Sequence, residues 1–474
     1  MLSSTVEGAE NGGMVAVATK ENGSSSRTRR RDGSLRGRLG RALFFGVEPS
    51  ADTVAIALVY FVQGVTGLSN LALSFYLKDD LALSPAEIAF VTSAGTFPWL
   101  IKPLYGFASD SFPLFGYRRR SYMAVCGLAG CAGWAALATV ASTKATVIGG
   151  LLLSSVGVAM ADVVVDSVVV ERVREEQDPS LEGSLQSLSW GARAVGSIAA
   201  GFWGGALVEE YGPRFVFSVT AFLPLLVTLV SLVLEEERIS DKEASAGVAQ
   251  ALEQAKRQAS LMWSAVRRRE IWSPTAFLFL WQATPSAPQA MFFFQTERLG
   301  FTPEFLGRVQ LATAFASLAG VVLFNTQLQA KPLRTVFLWS ALVGTALSLT
   351  QLLLVTGMSE SMGIPNEAFA VADSVALAVV GQVAFMPVLV LAARVCPEGV
   401  EATLFALLMS ICNSGAVSSG FLGGQLTDTL GVTKDNFDNL PLLLTICGLC
   451  SLAPLPLLAM VPQERAPPQD EKQA

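Results

Sequence analysis

The stretch GFASDSFPLFGYRRRSY, Gly106 to Tyr122, decides the fold of this chain, and a long apolar run flanks it on either side. Two bilayer-long apolar runs joined by a short arginine-bearing loop form a transmembrane hairpin, with the loop on the cytoplasmic side. The pattern favours a gate, in which a carboxylate and nearby arginines hold one face shut. The alternative is a positive-inside loop with a capping aspartate. The gating candidates are Asp110, Arg118, Arg119 and Arg120.

Composition places the chain in a membrane. Its 474 residues are 51% hydrophobic and only 15% charged, with a mean hydropathy of +0.48. A soluble protein of this size needs more charge to cover its surface. The six cysteines lie in apolar runs or at their ends, which favours small core residues over a metal or redox site. With no phosphate-cradling glycine loop and no nucleophile constellation, we expect no enzyme activity, no cofactor, no metal and no nucleic-acid partner.

Twelve apolar runs predict an all-α polytopic membrane protein with twelve transmembrane helices in two six-helix halves, the plan of the major facilitator fold. The expected domains are a basic, disordered N-terminal arm (1–51), an N-terminal half (52–234), a cytoplasmic linker (235–270), a C-terminal half (271–461) and a tail (462–474). Spans 1 to 12 are predicted at 53–77, 85–107, 120–141, 145–170, 184–208, 214–234, 272–296, 304–325, 334–357, 368–393, 401–427 and 438–461.

Lysine and arginine set the orientation. With the N-terminus inside, the inner segments hold roughly fourfold more of these residues than the outer loops. Both termini are therefore expected in the cytoplasm, or in the stroma if the membrane is a plastid envelope rather than a plasma membrane. The N-terminal arm suggests either an organellar transit peptide or a cytoplasmic segment that touches anionic lipid.

Charged residues inside spans 4 and 5 are costly, so they are functional candidates. Asp162 and Asp166 are four residues apart and share one face of span 4. The helical rise brings Asp162 level with Arg193, which predicts an ion pair that is either permanent or opens for substrate. One arginine leaves one of the two acids unmatched, and because histidine is absent this acid is the candidate for proton uptake. Further candidates nearby are Glu171, at the cytoplasmic mouth, and Gln186 and Trp190 of span 5.

Three other spans hold candidates. Lys102 of span 2 either snorkels to the interface or supplies positive charge to a cavity. Asp373, near the outer end of span 10, is an outer-gate candidate. Span 7 combines aromatic rings with amides beside prolines, which suits a flat heterocycle, although packing against lipid would use the same rings. The span 7 candidates for substrate binding are Trp281, Gln282 and Gln289.

Four segments together resemble the folate–biopterin transporter family of the major facilitator superfamily. The resemblance implies uptake of folates or unconjugated pterins, coupled to protons, with Asp110 held against the start of span 11. The C-terminal half matches more loosely, since the loop between spans 8 and 9 lacks the aspartate of the motif. The four segments are LIKPLYGFASDSFPLFGYRRRSY (100–122), DVVVDSVVVERVR (162–174), SLQSLSWGARAVG (184–196) and PTAFLFLWQATP (274–285).

The residues are compatible with such a substrate. The amidine-like edge of a pterin pairs well with a carboxylate such as Asp162 or Asp166. The two carboxylates of a folate tail suit Arg193 or Lys102. Two alternatives stay open: transport of S-adenosylmethionine or another heterocycle by the same fold, and a non-transporting sensor with a transporter fold.

Overall fold

The structure, a computed structural model, describes residues 50–176, 179–232, 267–395 and 401–462, with isolated positions between 234 and 264. The predicted N-terminal arm, most of the linker and the C-terminal tail lie outside these ranges. Regular structure in the described ranges is helical, apart from one isolated bridge between Leu114 and Tyr117 in the loop that follows span 2.

The N-terminal half begins with a span that is interrupted once and ends in a π turn. Span 2 is broken by a 3-10 turn, whereas spans 3 to 6 are single helices. The helices of the six spans are Ala51–Val65 with Leu68–Phe75 and Tyr76–Asp80; Pro85–Gly95 with Phe97–Ile101 and Lys102–Ser111; Arg120–Thr139; Lys144–Glu176; Pro179–Tyr211; and Pro213–Ser231.

The C-terminal half also has six spans. Span 7 is interrupted between its two helices, and spans 7 and 8 each end in a π turn. A short helix, Met358–Ser361, follows span 9. The helices of the six spans are Arg269–Gln282 with Pro288–Phe293 and Phe294–Arg298; Pro303–Leu323 with Phe324–Leu328; Leu333–Val355; Asn366–Val395; Glu401–Thr429; and Leu440–Cys450 with Leu455–Met460.

Nine helices among the described residues are long and apolar enough to cross a membrane, and they correspond to all the predicted spans except 2, 5 and 7. Span 2 is interrupted around Pro98 and Pro103, and span 7 around Pro285 and Pro288, because proline removes a backbone donor and clashes with the preceding turn. Span 5 is a continuous 33-residue helix that carries polar and charged residues. The multi-pass helical fold is confirmed, and the count of twelve stays a prediction.

The buried apolar residues show how the two halves meet. One core, which includes Leu77 and Phe217 from the first half and Phe293 and Leu440 from the second, is shared at the predicted outer end. Toward the predicted cytoplasmic end each half has its own core, around Ile56 in the first and around Phe277 and Leu404 in the second. The halves therefore share an apolar core at the predicted outer end, whereas their cores toward the predicted cytoplasmic end are separate.

Glycines allow the halves to touch. A Cβ added to Gly205 of span 5 would lie 2.3 Å from the Pro303 carbonyl oxygen of span 8, and one on Gly420 of span 11 would lie 2.1 Å from Ser93 Oγ of span 2. Real Cβ atoms do not approach other heavy atoms so closely, so Gly205 must be glycine, whereas a Cβ at Gly420 would require the Ser93 side chain to rotate. Spans 5 and 11, which are rich in glycine, therefore contact the opposite half closely at these positions.

Candidate functional site

The break in span 2 positions a lysine inside the bundle. The 3-10 turn Phe97–Ile101 ends where Lys102 begins the second helix of the span. The Lys102 Nζ lies 2.5 Å from Asp162 Oδ2 and 4.6 Å from the centre of the Trp99 ring. Asn413 of span 11 donates to the Trp99 carbonyl oxygen at 3.3 Å, so the C-terminal half reaches this break. Lys102 therefore supplies positive charge inside the bundle, and the snorkelling alternative is wrong.

Both carboxylate oxygens of Asp162 have partners within the N-terminal half. Its side chain is 8% exposed, and its Oδ1 accepts a hydrogen bond of 2.9 Å from Gln63 Nε2 of span 1. A buried carboxylate is stable only when its charge is matched and its lone pairs are satisfied. Lys102 and Gln63 together meet that requirement, so spans 1, 2 and 4 are tied together through one carboxyl group.

Asp166 differs from Asp162 although the two lie one turn apart. It is exposed, and its Oδ1 accepts a hydrogen bond from the Tyr60 hydroxyl of span 1. No ion pair to Asp166 occurs among the residues that the structure describes. A neutral hydroxyl leaves the carboxylate charge uncompensated, so Asp166 is the acid that can receive a cation, a ligand donor or a proton.

The predicted ion pair between Asp162 and Arg193 is wrong. Span 5 packs along span 1, where a Cβ on Gly64 would lie 2.1 Å from the Arg193 carbonyl oxygen. The Arg193 guanidinium lies 5.4 Å from the centre of the Trp190 ring and forms no ion pair with any described residue. The helical rise fixed the relative depth of the two residues. It could not show that span 5 packs on span 1, which brings Arg193 toward Tyr60 instead.

Sequence analysis missed Tyr60, Gln63 and Trp99. An amide in an otherwise apolar span is a weak signal, and Gln63 provided it in span 1. Tyr60 and Trp99 had none, because aromatic residues are common in buried helices. Two predicted residues, Glu171 and Gln186, have side chains outside the described part of the structure.

The loop between spans 2 and 3 carries the predicted gate. Asp110 Oδ1 lies 2.7 Å from Arg119 Nη1, which also contacts Ser109 Oγ at 3.1 Å. The Asp110 side chain is 59% exposed. The family pattern placed it against the start of span 11, but Asp110 pairs with Arg119 here, and the side chains of residues 401–403 are not described. In this structure Asp110 therefore stabilises its own loop through Arg119.

Glu236, which follows span 6, holds the same loop from the other side. Its carboxylate accepts hydrogen bonds of 2.6 to 3.1 Å from the backbone N–H groups of Arg118, Arg119 and Arg120. These donors stand at the start of span 3 and have no partner within the helix, so an acid there acts as a cap. The Arg120 guanidinium lies 5.5 Å from the Tyr117 ring centre. The three arginines thus contribute backbone donors as well as charge.

The span 7 candidates do not join the charged cluster through any described contact. Trp281 lies 4.9 Å from Phe337, between ring centres, and lines a cavity of about 530 Å³ in the C-terminal half. Gln282 packs at the crossing with span 11, where a Cβ on Gly415 would lie 2.7 Å from its Cβ. Gln289 Oε1 is buried and has no hydrogen-bond partner in the described part of the chain.

The predicted outer end is closed by residues that the sequence did not single out. Lys78 Nζ lies 2.5 Å from Glu297 Oε1, so an ion pair links spans 1 and 7. Glu209 accepts from the Glu304 backbone N–H at 2.8 Å. Asp373 instead accepts from two neutral groups within its own half: Thr350 Oγ1 at 2.6 Å and Gln351 Nε2 at 3.3 Å. A gating role for Asp373 therefore stays a prediction.

Helices that span a membrane, broken helices at the contact between two bundles and a charged cluster inside one of them define a multi-pass membrane transporter of the major facilitator fold. Solved structures agree on the fold. The nucleoside transporter NupG superimposes with a TM-score of 0.66 at 15% identity, covering 86% of this chain and 98% of its own. A D-xylose-proton symporter gives 0.64 at 16% identity, covering 87% and 98%.

Residues 63–474 match the BT1 family, and the chain belongs to that family. A folate-biopterin transporter of Synechocystis sp. is 48% identical over 90% of this chain and 84% of its own length. A probable folate-biopterin transporter 4 of Arabidopsis thaliana is 30% identical over 86% of this chain and 95% of its own. The resemblance read from four segments is therefore confirmed across most of the chain.

Proposed function

We propose that this protein carries folate or pterins, such as biopterin, across a membrane by alternating access, as a proton-coupled secondary transporter. The observation that carries the proposal is the unequal pair of aspartates in span 4. Asp162 is neutralised by Lys102, whereas Asp166 is exposed and bonded only to a hydroxyl among the described residues. The names of the relatives in Synechocystis sp. and Arabidopsis thaliana support the substrate class.

Asp166 is the proposed contact for the donor edge of a pterin. Two parallel N–H groups on a flat ring match the two oxygens of a carboxylate, and such charge-assisted pairs are stronger than neutral ones. Trp190, which is 43% exposed, offers a face for stacking within the same helix as Arg193. Arg193, which has no described ion-pair partner, is the proposed contact for the carboxylates of a folate tail.

Proton coupling follows from the same arrangement. A proton on Asp166 would remove the one uncompensated acid of the cluster, so substrate and proton would compete or alternate at one group. The charged and titratable groups around it are Tyr60 of span 1, Lys102 of span 2, Asp162 of its own span and Arg193 of span 5. With no histidine in the chain, a carboxylate must serve as the proton carrier.

The resting orientation is proposed to be open toward the cytoplasm, with both termini on that side, in a plasma membrane or plastid envelope. The shared apolar core and the Lys78–Glu297 ion pair support closure of the outer end. Each six-helix half (52–234 and 271–461) is proposed to move as one body, with 235–270 as the linker. A rocking motion would have to separate Gly205 from Pro303 and break the ion pair.

The test is uptake of radiolabelled folate and biopterin into proteoliposomes that contain the full chain, with and without an inward proton gradient. The gradient should stimulate uptake. Arg193→Ala should reduce folate uptake about tenfold while sparing biopterin, because only folate carries the two tail carboxylates. Arg308→Ala is the matched control, since Arg308 is 72% exposed and contacts only Glu304 in the described ion pairs.

Three other outcomes of the uptake measurement would change the proposal. Uptake of S-adenosylmethionine without folate or biopterin would assign a cationic substrate to Asp166. Saturable binding of all three compounds without flux would indicate a sensor with a transporter fold. Folate uptake that is indifferent to the gradient would remove proton coupling and leave the substrate class intact.

A further inference from the structure

The C-terminal half contains a cavity that the charged cluster does not use. It measures about 530 Å³ and lies between spans 7, 9 and 12. Pockets that bind small molecules typically measure about 300–1,000 Å³. Its walls come from the broken segment of span 7, represented by Thr284 and Ser286, from Ser348 and Gln351 of span 9, and from Ser451 in the break of span 12.

In the N-terminal half, rings of spans 1, 3 and 6 pack against one another. The Tyr76 and Phe217 ring centres are 5.5 Å apart, and those of Trp134 and Phe217 are 5.8 Å apart. All three side chains are buried. In the C-terminal half small residues such as Gly344 and Gly448 occupy spans 9 and 12, and the space stays open.

The lining mixes apolar side chains with hydroxyl and amide groups and carries no Asp, Glu, Lys or Arg among the described residues. Several of its hydroxyls are already paired: Thr345 with Ser451 at 2.6 Å, and Ser286 with Ser419 at 2.9 Å. Gln351 Nε2 donates to Asp373, which leaves the Oε1 of the same amide as an acceptor. A charged ligand would lose its hydration without gaining a counter-ion, so the cavity selects an uncharged molecule.

Two aromatic rings and two amides in the lining favour a flat ligand that carries hydrogen-bonding groups. Trp281 and Phe292 contribute aromatic surface, and Gln295 and Gln351 contribute amide groups. Non-helical backbone at membrane depth is tolerated where it lines a polar cavity, and residues 283–287 of span 7 are such a segment. Ser286 and Pro288 are exposed beside span 11, so the break offers a route from the contact between the halves.

We propose that this cavity is a second ligand site, distinct from the charged cluster, that binds an uncharged bicyclic heteroaromatic molecule between Trp281 and the amides of spans 7 and 9. The site does not depend on Asp166, Lys102 or Arg193. It gives the C-terminal half a binding role that the transport proposal does not assign to it.

The test uses unsubstituted pterin as the probe and Cys447, which lines the cavity, as the reporter. N-ethylmaleimide modification of the purified full chain is followed by mass spectrometry, residue by residue. Pterin should slow the modification of Cys447 about fivefold and leave Cys450, which is absent from the lining, unchanged. Asp166→Asn should show the same protection, since the site is separate from the charged cluster.

Equilibrium dialysis with labelled pterin supplies a second measurement. Ser348→Trp would fill the cavity with a ring, as Trp134 does between spans 1, 3 and 6, and should remove one class of binding site. Val343→Trp adds the same ring on an exposed position of span 9 and should not. The proposal is overturned if pterin fails to protect Cys447, or if both tryptophan variants bind pterin alike. A Cys447 that does not react even without pterin also overturns it, because an open cavity would admit this small reagent.

Discussion

The two halves of the bundle share one helical plan but hold their polar groups in different ways. The N-terminal half buries a lysine against an aspartate and leaves a second aspartate exposed one turn away. The C-terminal half surrounds the interior acid Asp373 with a hydroxyl and an amide, and contains a cavity whose described lining residues carry no charge. The two proposals follow this difference: the proposed transport site uses charged groups of the first half, and the proposed second site uses neutral groups of the second half.

The ends of the halves show the same contrast. After span 6, the acid Glu236 receives backbone donors at the start of span 3. In the second half, Arg334 at the start of span 9 donates to the carbonyl oxygens of Ala459 and Val461, at the end of span 12. Both contacts join corresponding pairs of helices at the predicted cytoplasmic end. One uses an acid at a helix start and the other a base at a helix end.

The strongest test of this contrast is removal of the buried cation. Lys102→Met leaves Asp162 with Gln63 alone, and breaking a buried pair from one side costs about 3–5 kcal/mol. We expect a marked loss of thermal stability in detergent and a loss of uptake of about a hundredfold or more. The double variant Lys102→Met with Asp162→Asn should recover most of the stability but not the uptake. Equal stability of the single and double variants would show that the pair is not buried as described.

Replacement of the exposed acid should affect transport without affecting stability. Asp166→Asn removes a charge that Tyr60 only partly compensates, so the protein should unfold near the wild-type temperature. Loss of one charge-assisted contact to the substrate corresponds to about tenfold lower uptake. Stimulation by an acidic exterior should disappear at the same time. Uptake that keeps its response to the gradient in Asp166→Asn would assign the coupling proton to another group.

Loss of the cap at the start of span 3 should have an intermediate effect. Glu236→Gln keeps the size of the side chain but removes its negative charge and one acceptor oxygen, and capping contacts of this kind contribute about 1–2 kcal/mol. A lower unfolding temperature is expected, measured by differential scanning fluorimetry. Arg334→Met is the matched change in the other half and should give a similar shift. A far larger effect of Glu236→Gln would indicate that the cap also controls the gate.

The smallest effect on uptake is expected from a substitution in the C-terminal half. Asp373→Asn keeps an acceptor for Thr350 or Gln351, and the two bonds that it replaces are to neutral groups. Uptake should change by about twofold or less, with the response to the proton gradient intact. Loss of coupling in this variant would contradict the assignment of proton exchange to the N-terminal half.

Particular residues show how far sequence reasoning reached. The apolar runs placed the helices to within a few residues: the prediction 438–461 corresponds to Leu440–Cys450 with Leu455–Met460. Prolines lie at the breaks of spans 2 and 7, because the missing N–H acts locally, but Pro387 stands inside the continuous helix of span 10. Asp162, Asp166 and Lys102 were singled out because charge inside a membrane is costly wherever the helix packs. Their partners were not predicted correctly, since Asp162 was assigned to Arg193.

The sequence by itself determined the class of the protein, the positions of its helices and the set of interior charges, because burial in lipid penalises each polar group individually. Only the tertiary structure decided which groups meet. Close contact of spans 1 and 5 at Gly64 and Gly196 set the rotation of span 5, and the break before Lys102 turned that lysine toward span 4. Helix rotation and packing depend on residues far apart in the chain, so periodicity along one span does not encode them.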